Sequence, residues 1–105
     1  MSLSTHVLDT AQGRPAVGVG VLLIDVAGDT TAATTDQDGR ATLASGPLQP
    51  GPHQLVFATA EYFAASGTET FYPQVTVAFT VTDGTAHHHV PLLVSPYAYT
   101  TYRGS

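Results

Sequence analysis

Cysteine is absent, so disulfides and thiolate metal sites are excluded at the outset. Positive charge is nearly absent too. Arg14, Arg40 and Arg103 are the only cationic side chains besides the histidines, and the formal net charge is −5. Neither a nucleic-acid footprint nor a polybasic membrane patch can be drawn on such a chain. The opening MSLSTHVLDT has no basic segment leading into a long apolar one, and no apolar run approaches membrane-spanning length. A cytoplasmic protein is therefore expected. There is no Gly-x-Ser-x-Gly elbow, P-loop or dinucleotide fingerprint. Repeats, linkers and low-complexity tracts are missing as well. Charged residues make up 10% of the chain and hydrophobic ones 43%, which favours an ordered core over disorder. At this length one domain is expected, residues 1–105. So few charges predict that part of the surface is covered by copies of the chain itself.

What is present alternates. Residues 3–9, LSTHVLD, form a short strand-like piece, and Val17, Val19, Val21 and Leu23 follow with the period of two typical of a half-buried strand. A further strand is expected between Asp25 and Thr35. Asp36-Gln37-Asp38-Gly39 signals a turn, with Arg40 directly after it. Residues 45–53 read as a loop and 53–58 as a strand. AEYFAAS, residues 60–66, is the single helix expected, with Gly67 as its stop. Val75, Val77, Phe79 and Val81 then define the cleanest strand. Asp83-Gly84 predicts a two-residue hairpin, pairing Thr80 with His87 and Ala78 with His89. Short strands punctuated by turns spell a β-sandwich.

The polar residues that could carry chemistry cluster late in the chain, in HHHVPLLVSPYAYTTYRGS. In a strand, His87 and His89 share one face, while His88 turns towards the core with Val90, Leu92 and Val94. His53 reads as a structural, hydrogen-bonding histidine. Two imidazoles side by side have little packing rationale, so His87 and His89 are candidates for proton transfer; His6 could join them, although composition and spacing alone do not bring it there. The same pattern suits a three-histidine zinc site with water in its open position. Arg40 and Arg103 are candidates to bind an anion or polarise a carbonyl, the alternative for Arg40 being a surface pair with Asp36 or Asp38. Ser105 has no strained turn to activate it. A histidine-activated water is the expected nucleophile of any hydrolysis.

Three blocks together resemble a known family. They are Leu3-Ser4-Thr5-His6-Val7-Leu8-Asp9 with Gly13 and Pro15-Ala16, then Asp38-Gly39-Arg40, and finally Phe71-Tyr72-Pro73-Gln74-Val75 with His87 through Ser105. The chain is similar over nearly its whole length to the 5-hydroxyisourate hydrolases, transthyretin-related proteins of purine (urate) degradation. The ending Tyr102-Arg103-Gly104-Ser105 is the most specific element of the likeness. His88 departs from the tyrosine usual in that family, and Asp25 to Thr35 is shorter and poorer in charge. Transthyretin itself shares the fold but lacks this set of histidines, the arginine and this ending.

The resemblance implies a transthyretin-like two-sheet β-sandwich with one short helix, assembled as a homotetramer, a dimer of dimers, with sites in a channel between subunits. It implies hydrolysis of 5-hydroxyisourate to 2-oxo-4-hydroxy-4-carboxy-5-ureidoimidazoline, without metal or other cofactor. His6, Arg40 and His89 would be catalytic, and His87, Tyr102, Arg103 and Ser105 would contact substrate. Two alternatives stay open, a zinc-dependent cyclic-amide hydrolase using the histidine cluster and a non-catalytic transthyretin-like carrier.

Overall fold

A single strand, β1 (Leu3–Asp9), joins more of the chain than any local pattern suggests. The computed structural model describes residues 2–105. Leu3, Thr5, Val7 and Asp9 of β1 point into the core, and Ser4, His6 and Leu8 point the other way. Along its length β1 pairs with β2 (Arg14–Pro15), β5 (Arg40–Ala44), β8 (His88–His89) and β9 (Leu92–Ser95), and β10 (Ala98–Thr101) closes that sheet beyond β9. The second sheet runs β4 (Thr30–Thr34), β3 (Gly20–Ile24), β6 (Gly51–Phe57), β7 (Val75–Val81). The two sheets pack as a sandwich over Leu3, Val7, Leu55, Phe57, Val75 and Leu92, all essentially sealed from solvent.

The helix α1 (Thr59–Ala64) lies one or two residues earlier than its sequence pattern suggests. At six residues it has no stability of its own, and tertiary contacts hold it. Phe63 is buried in the core, and the Tyr62 hydroxyl donates to Asp9 Oδ2 at 2.8 Å. Burial, then the Asp9 carboxylate, push the Tyr62 phenol up to about 12. No helix among the described residues is long and apolar enough to cross a membrane.

Three expectations need correction. Val17 is half exposed, because β3 begins only at Gly20. The stretch 51–53 belongs to β6 rather than to a loop. The third concerns Asp83-Gly84, which does not close a hairpin. β7 pairs with β6 in one sheet, while β8 pairs with β1 in the other, so Thr80 and Ala78 are not strand partners of His87 and His89. The favoured two-residue hairpin needs a left-handed backbone at both central residues, and Gly84 does not adopt it. Instead the Asp83 carboxylate accepts from the Thr85 N–H and hydroxyl, and Leu48 N–H donates to the Gly84 carbonyl. The chain is thereby held to the β5–β6 loop as it crosses between sheets.

Candidate active site

The outer face of β1 collects the polar groups. Ser4 and His6 are two residues apart on that face, about 6.5 Å along the strand. His6 stands opposite Arg40 across the β1–β5 pair, and Ser4 stands opposite His89 across the β1–β8 pair. Residues from three distant parts of the chain are thus adjacent because one strand has partners on both sides.

Arg40 is placed by the turn before it. Asp36 Oδ1 accepts the backbone N–H groups of Asp38 at 2.8 Å and Arg40 at 3.0 Å. Those two bonds, the one from Arg40 foremost, hold the Asp36 carboxyl below its ordinary range, helped by the charges of Arg40 and His6. Gly39 has φ +75°, and a Cβ there would collide with the Val7 carbonyl. The Val7 N–H in turn donates to the Gly39 carbonyl at 2.7 Å. The turn is tied directly to the strand carrying His6.

The alternation expected of the three histidines holds. His88 is buried, and its Nδ1–H donates to the Ala86 carbonyl at 3.0 Å. His87 and His89 lie on the other face with ring centroids 6.3 Å apart and planes 15° from parallel. Ser4 Oγ is 2.9 Å from His89 Nδ1. His89 is half buried, and that burial is the main reason its pKa falls below the ordinary 6.5, followed by the charges of His87, His6 and Arg40. A neutral imidazole at neutral pH is the outcome, the form a general base requires. His89, Arg40, Ser4, Asp36 and Thr42 line a cleft of about 220 Å³.

The end of the chain returns to the same histidine. Gly104 N–H donates to the His89 carbonyl at 2.8 Å, and a Cβ on Gly104 would strike the His89 ring and crowd Pro91. Only glycine lets the backbone lie against the imidazole there. Tyr102 and Arg103 line a second, more apolar cleft of about 230 Å³ with Val77, Phe79, His88 and His89. Ser105 is exposed and borders neither cleft.

Of the residues singled out in the sequence, His6, Arg40, His87 and His89 therefore share one face, with His6 beside the first cleft rather than lining it. Tyr102 and Arg103 reach it only through His89. His53 is fully buried and stacked on Phe79, a packing role. Ser4 and Thr42 escaped the sequence reading, although Ser4 has the same strand parity as His6, and Asp36 entered it only as a turn residue and possible partner of Arg40. Among the described residues, no three His, Asp or Glu side chains are grouped to hold a metal ion.

Comparison with known proteins places these features in a family. The sequence model described as HIUase/Transthyretin family matches residues 3–104. A 5-hydroxyisourate hydrolase of Deinococcus radiodurans is 47% identical over 113 residues, spanning 98% of this chain and 95% of that protein. The solved structure of Klebsiella pneumoniae 5-hydroxyisourate hydrolase superposes with a TM-score of 0.90 at 38% identity, covering 100% of both chains. Sea bream transthyretin in complex with thyroxine superposes with a TM-score of 0.86 at 26% identity, covering 99% of this chain and 95% of that one.

Proposed function

The chain belongs to the HIUase/Transthyretin family, and from that premise we propose that it hydrolyses 5-hydroxyisourate in urate degradation, with residues 1–105 acting as one transthyretin-like domain. Fold alone supports a thyroxine carrier equally well, since sea bream transthyretin shares it, so the activity has to be argued from the site. The observation that carries it is the half-buried His89, neutral at neutral pH, in a polar cleft with Arg40.

In this reading His89 takes a proton from water as the water oxygen attacks a ring carbonyl. Arg40 holds the substrate and stabilises the oxyanion that develops on that carbonyl. The carbon–nitrogen bond then breaks, the nitrogen takes a proton, and the six-membered ring opens to 2-oxo-4-hydroxy-4-carboxy-5-ureidoimidazoline. His6 shuttles protons on the far side of Ser4. His87 contacts substrate or fixes a neighbour's tautomer, and Tyr102 and Arg103 shape the adjoining wall, whereas Ser105, outside both clefts, is left without a role in this chain's own site. A net charge of −5 gives an anionic substrate no long-range attraction, which concentrates the task on Arg40.

A homotetramer is part of the same proposal. β7 and β10 are outermost strands of their sheets and carry no charged residue, so nothing blocks a second copy from pairing with them. Thr101 of β10 and Val77 and Phe79 of β7 flank the apolar cleft between these edges.

The test couples the purified protein to urate oxidase and follows 5-hydroxyisourate absorbance against its spontaneous decay. Decay accelerated in proportion to protein, and unaffected by a chelator, is expected. Decay at the spontaneous rate would remove the hydrolase reading and leave the carrier.

A further inference from the structure

The Ser4 hydroxyl stands between two imidazoles, with Oγ 2.9 Å from Nδ1 of His89 and 3.4 Å from Nε2 of His87. Strand register creates this arrangement, since Ser4 is paired with His89 across β1 and β8 and His87 precedes β8 on the same face. Ser4 and His89 both line the cleft and His87 is exposed, so the linked groups begin in the cleft and end at solvent. A serine hydroxyl has one proton and two acceptor positions, and can accept from one ring nitrogen while donating to another. It thereby passes a proton without itself becoming charged.

We propose that Ser4 and His87 are a proton relay linking Nδ1 of His89 to solvent during turnover. The inference rests on reading this site as that of a hydrolase with His89 as base. As Nε2 of His89 takes the proton of the attacking water, the Nδ1 proton of His89 moves to Ser4 Oγ. The Ser4 hydroxyl proton moves in the same step to Nε2 of His87, which hands one proton to solvent. His89 and Ser4 each gain one proton and lose one, so no positive charge accumulates beside Arg40. When Nε2 of His89 delivers its proton to the leaving nitrogen, the relay runs backwards and Nδ1 is reprotonated from solvent. The charges of His6, His87 and Arg40, which already disfavour a protonated His89, make such an exit for the proton useful. Ser4 and His87 are positioning and relay residues here, distinct from the base itself.

The experiment measures kcat and KM for Ser4→Ala, Ser4→Thr and His87→Ala, with and without added imidazole. Ser4→Ala and His87→Ala should lower kcat about 10²-fold, the lower end of what general acid–base assistance is worth, with KM little changed. Ser4→Thr keeps the hydroxyl and should keep most of the rate. Free imidazole should restore His87→Ala, because Ser4 still delivers the proton to the surface, and should not restore Ser4→Ala. Wild-type kcat in His87→Ala, or equal rescue of both alanine variants, would overturn the relay while leaving the hydrolase intact. Absence of turnover in the unaltered protein would instead overturn the hydrolase reading and the relay with it.

Discussion

His89 borders both clefts, and its surroundings decide what it can do. Its lowered pKa has a kinetic sign. The base form persists to lower pH than in an unperturbed histidine, so kcat/KM should fall on the acid side only below pH 6.5. A pH–rate profile whose acid limb is centred above that value would contradict the environment described for this ring. Gly104 makes the complementary case, because its missing side chain is what lets the backbone lie on the imidazole. Gly104→Ala should displace His89 and lower kcat by about 10–10² fold, since misplacing a catalytic group by about an ångström has that scale of effect. Thermal unfolding should change little, as Gly104 lies outside the core. The opposite faces of His87 and His88 were readable from alternation alone. Ser4 was not, because nothing local marks one serine as the partner of a histidine 85 positions away.

At the level of elements, local turn chemistry was legible where the turn closes on itself. Asp36 to Gly39 has the side-chain acceptor and the left-handed glycine its residues suggest. Asp83-Gly84 carries the same two residue types, and misled, because Asp83 spends its acceptors on Thr85 and the backbone leaves for the other sheet. A dipeptide reports local backbone preference and is silent on which sheet receives the next strand. The strands β1 and β7 were legible from alternation, whereas the parallel pairing of β1 with β8 and β9 was not, as non-local pairing leaves no periodic trace. The Asp36–Gly39 turn supports a prediction of its own. Gly39→Ala places an L side chain in left-handed backbone, at roughly 1–2 kcal/mol, and against the Val7 carbonyl besides. Chemical denaturation should show that loss of stability, and activity should fall more than stability, because Arg40 moves with the turn.

For the whole molecule, the scarcity of charge pointed to self-association before any strand was placed. The uncharged edges β7 and β10 supply the surface through which it would occur. Ala78 is exposed on β7. Ala78→Lys puts a charge on that edge and, in the proposed tetramer, should leave smaller species with unchanged secondary structure, seen by light scattering and circular dichroism. A variant of unchanged mass would move the subunit contact elsewhere.

The two sheets and the pairing around β1 exist, on this account, to bring imidazoles from opposite ends of the sequence into one reaction. A double-mutant cycle on single-turnover rates tests that most directly, with His6→Asn, His89→Asn and the two combined, each checked for intact folding. Groups that work on one water and one substrate are not additive, so the double variant should be scarcely slower than the worse single one, each single loss lying at about 10²–10⁴ fold. Losses that multiply independently, or a wild-type rate in either single variant, would mean that the two histidines do not serve a common site.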